Sequence, residues 1–209
     1  MLEDKPQPLP REFYAPSALV VATRLLGHWL LRRTATGYCG GPIVETEAYL
    51  RDDPAAHSYR GKTKRNQVMW GEPGHAYVYF IYGNHYCVNA VCQPEGLAEA
   101  VLIRAIEPCF GLELMQGRRK VRRPADLTNG PGKLCAAMEI NRDFDGVDLC
   151  REGELFIGFN SRQSSYLSQN GPMVETTRIG ITQASEKPWR FYLEKNPYVS
   201  HKETRRVSS

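Results

Sequence analysis

The spacing of apolar and polar positions changes several times along the chain, and each change marks an element. In "APSALVVATRLLG" (residues 15–27) apolar residues recur at helical spacing, Pro16 and Ser17 offer start signals and Gly27 a stop, which predicts a helix. "HWLLRR" then reads as a strand, and "GPIVETEAYL" (41–50) as a better one. Strict alternation in the latter puts Val44, Thr46, Ala48 and Leu50 on one face, apolar enough to be core. The other face carries Ile43, Glu45, Glu47 and Tyr49, two carboxylates and a phenol on one side of one strand.

A polar connection, "RDDPAAHSYRGKTKRNQ", follows, long enough to carry function. "YVYFIYGNHYCVNAV" (77–91) has the pattern of a β-hairpin turning at Gly83 and Asn84, and "EAVLIRAIEP" that of a strand ending near Pro108. "CFGLELMQ" predicts a short helix, and the Gly- and Pro-rich turn of "TNGPGKLCAAMEI" opens another. "LFIGF", "TRIGIT" and "WRFYL" are short strand-like runs near the C-terminus. The sum predicts one α+β domain with a mainly antiparallel sheet, spanning residues 12–203. Residues 1–11, Pro-rich and charged, are expected to form a flexible arm and residues 204–209 a flexible tail.

A chain of 209 residues is long enough to bury a core without staples. Its longest apolar run is broken by Arg24 and His28, too broken to span a bilayer, and no secretory leader precedes it, so the expected location is inside the cell. The six cysteines are scattered without a C-x-x-C pair, which points to buried thiols rather than bridges or a metal site. A net charge of +4 is mild, but the basic residues cluster in "RRTATGY", "YRGKTKR" and "GRRKVRR". Three such clusters tilt the reading towards a polyanionic partner, nucleic acid being the commonest.

Four constellations could carry chemistry. Glu45 and Glu47 resemble an acid/base pair, although two glutamates on a solvated strand face are the ordinary reading of that spacing. Tyr77, Tyr79 and Ile81 point one way along the hairpin, and Val78, Phe80 and Tyr82 the other. β-Propensity accounts for most of these rings, but not for Tyr82 at an exposed tip, where a ring suits wedging between stacked bases. Asn89 is an amide inside an apolar strand, either satisfied by neighbouring backbone or aimed into a pocket. "TNGPGK" places backbone N–H groups and Lys133 at a helix start, which attracts anions, without the spacing of a P-loop.

In this order, "VETEAYL", "AAHS", "YVYFIYG", a strand Asn, "LIRAIEP", "GPGKLCAAMEIN" and "RIGI" resemble the alkyladenine DNA glycosylase family over about residues 12 to 200. The resemblance implies a monomer with a curved antiparallel sheet, flanking helices and a hairpin that enters the minor groove of double-stranded DNA. It implies a monofunctional enzyme without cofactor or metal that flips out a damaged purine (3-methyladenine, 7-methylguanine, hypoxanthine or ethenoadenine) and hydrolyses its glycosidic bond. On this resemblance Glu47 activates the attacking water, Glu45 supports it, and Arg104 lies near the water and the target phosphate. Tyr49, His57 and Tyr79 wall the base pocket, and Asn89 collides with the 2-amino group of guanine. Tyr82 plugs the gap in the duplex, with Met69 and Leu102 against the DNA around it, while Lys133 and Arg65 are candidate phosphate contacts. Two other readings remain open on the residues alone: a non-catalytic reader of distorted duplexes, and a carbohydrate hydrolase using Glu45 and Glu47.

Overall fold

The structure, a computed structural model, describes residues 6–200. The tail expected at 204–209, and residues 1–5 of the expected arm, lie outside the described residues. Eight strands form one antiparallel sheet: β1 (Trp29–Thr34), β2 (Gly37–Tyr49), β3 (Ala76–Ile81), β4 (His85–Cys92), β5 (Glu99–Ile106), β6 (Leu155–Gly158), β7 (Met173–Thr176) and β8 (Arg190–Leu193). The main path runs β3-β4-β5-β2-β1-β6, with β8 pairing with β2 and β7 with β8. Four α-helices accompany it: α1 (Ala18–Leu25), α2 (Leu112–Arg118), α3 (Pro131–Met138) and α4 (Gln163–Gln169). The result is a single α+β domain with a curled sheet. Among the described residues no helix is long and apolar enough to cross a membrane.

Strand β2 is the spine. Its first half pairs with β1 and its second half with β5, while β8 takes Glu45 to Glu47 on the remaining edge. Gly41 lets the first half pass between neighbours, since a Cβ there would meet the Glu107 carbonyl oxygen at 1.7 Å. The expected alternation breaks at a register shift around Glu45. Ile43 therefore joins Val44 and Ala48 in the core instead of sharing the carboxylates' face. Both faces of this half of the strand are buried, so Glu45 and Glu47 are not surface glutamates.

Helix α1 forms where its periodicity predicts, but Ser17 makes no side-chain cap. The Ala18 N–H instead donates to the buried Glu99 carboxylate of β5, 2.8 Å away, an anion at the positive end of the helix. Helix α4 and strand β7 are absent from the sequence reading. Helix α4, a polar "QSSYLSQ", is held by tertiary contacts: Gln163 donates to the carbonyls of Arg24 and Leu26 at the end of α1. Two further expectations need correction. Residues 6–11 are packed rather than loose, with Leu9 buried and its N–H bonded to Ile157. "TRIGIT" is irregular rather than a strand, and Gly180 sits there at φ +77°.

Candidate active site

One end of the sheet opens into a cleft of about 450 Å³, within the usual range for small-molecule sites. Hairpin β3–β4, strand β5, the loop after β2, the start of α3 and residues 179–181 enclose it. Of the residues singled out from sequence, Tyr49, His57, Met69, Tyr79, Tyr82, Asn89, Leu102, Arg104 and Lys133 line it. Glu47 is fully buried beside it, and three cleft-lining residues hold its carboxylate. The Ile179 N–H donates at 2.8 Å, the Tyr49 hydroxyl at 2.8 Å, and Arg104 Nη1 pairs at 3.1 Å.

Glu45, two residues earlier and equally buried, has different company. It accepts from Arg190 Nε at 2.6 Å, Arg104 Nε at 3.2 Å, and both the N–H and hydroxyl of Ser200 at 2.7 and 2.8 Å. Those bonds tie β8 and the end of the described chain to β2. Arg104 bridges the two carboxylates, and their charges hold its guanidinium above the ordinary arginine range against the opposing cost of burial.

The walls are aromatic. The His57 ring lies 4.4 Å from that of Tyr79, edge to face, and its Nδ1 meets the Tyr77 hydroxyl at 2.9 Å. Desolvation against those rings, then the charge of Arg65, holds His57 below the ordinary histidine range although part of the residue stays exposed, so the imidazole is neutral at pH 7. Burial likewise pushes the Tyr79 phenol up, with Cys87 adding to it, and raises Tyr49, where Glu47 adds to it; both rings stay protonated donors. Asn89 combines both readings offered for it, lining the cleft while its amide nitrogen donates to the Tyr77 carbonyl at 2.9 Å. That bond fixes which way the amide faces.

Tyr82 stands at the rim, 76% exposed and at φ +54°, an uncommon backbone conformation for an aromatic residue. It belongs to the turn itself, and Gly83 follows at φ +72°. Met69 and Leu102, expected against DNA beside this ring, are buried in the cleft wall, which leaves Tyr82 as the exposed member of that trio. Lys133 Nζ is held 2.8 Å from Asn129 Oδ1 at the opening turn of α3. Arg65 lies outside the lining, its guanidinium 5.6 Å from the centre of the Tyr79 ring. Sequence reasoning missed Asp53, Arg178, Arg190, Ser200 and the Ile179 amide. An Asp in a polar loop, a serine near a chain end and a backbone N–H give no local signal of their partners. Arg178 stood inside the quoted "RIGI", but in a run read as a strand.

Comparison with known proteins places the chain in a family. The family model described as methylpurine-DNA glycosylase matches residues 12–197. A protein of Methanoculleus marisnigri, provisionally named 3-methyladenine DNA glycosylase, is 51% identical over 93% of this chain and 99% of its own. One of Carboxydothermus hydrogenoformans, with the same provisional name, is 47% identical over 93% and 99%. A Granulibacter bethesdensis protein so named is 49% identical over 92% of this chain and 87% of its own. With nearly its whole length matched, the chain belongs to the methylpurine-DNA glycosylase family and is a DNA glycosylase, a hydrolase.

Proposed function

We propose that this protein is a monofunctional, monomeric repair glycosylase that flips a damaged purine out of double-stranded DNA into the aromatic cleft and hydrolyses its N-glycosidic bond. The candidate bases are 3-methyladenine, 7-methylguanine, hypoxanthine and ethenoadenine. The observation that carries the reading is a buried carboxylate, Glu47, fixed by Arg104, Tyr49 and the Ile179 amide at the edge of a cleft walled by Tyr49, His57 and Tyr79. The reaction needs one proton acceptor. Glu47 takes a proton from water, the water oxygen bonds to C1′, and the electrons of the C1′–N bond leave with the base. A base that was cationic departs neutral, the sugar keeps a hydroxyl at C1′, and the DNA is left with an abasic site.

Cationic alkylpurines are the better leaving groups, and the rings of Tyr49 and Tyr79 favour them by cation–π attraction of about 1–2 kcal/mol in a desolvated site. Asn89, held by the Tyr77 carbonyl, rejects guanine by crowding its 2-amino group, and removes the commonest wrong substrate. Flipping costs a few kcal/mol, and Tyr82 stacked in the vacated space returns roughly 1–3 kcal/mol of it. Lys133, the start of α3 and Arg65 take the phosphates, and Arg104 supports the water and the target nucleotide from below.

The test is single-turnover excision from a duplex with one hypoxanthine or ethenoadenine, scored by alkaline scission, beside 3-methyladenine release from methylated DNA. We expect excision by the wild type, and a Glu47→Gln enzyme that binds the duplex but is slower by about 10²–10⁴-fold. Equal rates for the two would remove Glu47 from the chemistry.

A further inference from the structure

Arg178 has no place in the chemistry above, yet its side chain is fully buried beside the cleft. The guanidinium carbon lies 4.7 Å from the centre of the Tyr49 ring and 5.0 Å from that of Trp189. Nη1 pairs with Asp53 Oδ2 and donates to the Ala48 carbonyl at 3.0 Å. Nη2 donates to Asp53 Oδ1 at 3.0 Å and to the Ala184 carbonyl at 3.3 Å. Nε is buried with no acceptor among the described residues. Stability alone is a poor reason to keep such a group, because apolar residues of similar volume often serve as well or better than a buried ion pair.

What the pair joins is more telling. Ala48 sits on β2 between Glu47 and Tyr49. Asp53 closes the turn after β2, its carboxylate accepting the Ala55 N–H at 3.0 Å and its carbonyl the Ala56 N–H at 2.9 Å, directly before His57. Ile179, the residue after Arg178, gives its N–H to Glu47. One side chain thus touches or adjoins the strand end with Glu47, the loop with His57 and the segment that supplies a donor to Glu47. We propose that Arg178, paired with Asp53, is a positioning residue for base excision that clamps these three elements into one reactive geometry. The proposal rests on the reading of Glu47 as the proton acceptor. It predicts a loss in the chemical step rather than in DNA affinity, since misplacing reacting groups by an ångström lowers rate more than binding.

Removing one partner of a buried pair destabilises strongly, so the principal variant is the neutral double Asp53→Asn/Arg178→Gln, with Arg178→Lys beside it. Folded protein, checked by circular dichroism, is used in saturating excess over damaged duplex, so the single-turnover rate does not depend on the folded fraction. The double variant should excise about 100-fold more slowly while its affinity for the same duplex changes less than about threefold, and Arg178→Lys should recover part of the rate. A folded double variant within about twofold of the wild-type rate overturns the proposal. Hydrogen exchange gives a readout independent of catalysis. The Ile179 amide should lose protection in the double variant while Val101 and Ile103 of β5 keep theirs, and unchanged protection at Ile179 overturns the clamp. A wild type that releases no base would instead refute the reading of Glu47, and the exchange result would still decide whether the clamp exists.

Discussion

Glu45 and Glu47 are neighbours on one strand face, equally buried, with four and three donors respectively, and they share Arg104. Their other partners separate them. Those of Glu45 are Arg190 of β8 and Ser200, which tie distant segments to β2 although Ser200 also lines the cleft, whereas both of those of Glu47, Tyr49 and the Ile179 amide, belong to the cleft. The same division appears in the basic runs. In residues 117–123 Arg118 is spent on Glu139 and the Ala137 carbonyl, Arg119 on the carbonyls of Asp126 and Leu127, and Arg123 on Asp126. In residues 59–65 no basic side chain has an acidic partner among the described residues, and the run is bracketed by His57 and Met69 of the cleft. Side chains of one type do scaffold work in one place and face outward beside the cleft in another. Identity and spacing do not distinguish the two cases; partners do.

The two glutamates give the largest contrast to test. Glu47→Gln should abolish most excision and cost less stability than Glu45→Gln, because Arg104 keeps Glu45 as a partner. Glu45→Gln should do the reverse: it leaves Arg190 with a buried, weakened partner and lowers stability by about 3 kcal/mol, read by urea titration, while the remaining folded enzyme still excises. Comparable activity losses in both would show that the pair acts as a unit.

The basic runs offer a smaller effect. Lys62→Ala/Lys64→Ala should weaken duplex binding and flatten the dependence of log K on log salt by about two units, one per lost phosphate contact. Lys120→Ala/Arg122→Ala, on the run whose other basic members are paired within the protein, should change the slope by less than about half a unit. A reversed ranking would move the DNA path to the far run.

The smallest effect separates two histidines. His28 is buried between Phe13 and Phe159, accepts the Asn160 N–H on Nδ1 at 3.1 Å, and burial lowers it to about 4. Above the unfolded value near 6.5 both states are neutral and stability is complete. As pH falls from there towards 4, the unfolded chain takes a proton that the folded one refuses, and stability declines by a total on the order of 3 kcal/mol. His28→Asn should flatten that acid-side slope in urea titrations between pH 4 and 7. His57→Gln should flatten it less, because part of that residue already meets water.

Much of the cleft was legible before the fold was known. Tyr49 and Glu47 share a strand face by simple alternation, and Tyr82 stood out because a turn cannot bury a ring. Asn89 stood out as an amide among apolar neighbours. The strand register shift was not legible, because a bulge answers to the pairing with β5 rather than to the residues around Val44. Nor was α4, whose polar sequence is held by Gln163 bonding the carbonyls at the C-terminal end of α1.

By itself the sequence determined most of the local elements, the single α+β domain and the candidate site residues, because periodicity, turn residues and side-chain type act over a few neighbours. Only the tertiary structure decided which partners each carboxylate takes, which arginines remain free of acidic partners and that Asp53 and Arg178 meet across 125 residues of chain. Those outcomes depend on desolvation and pairing between distant segments. Burial makes an unpaired charge too costly to keep, so the fold, rather than the local pattern, assigns each charge its partner.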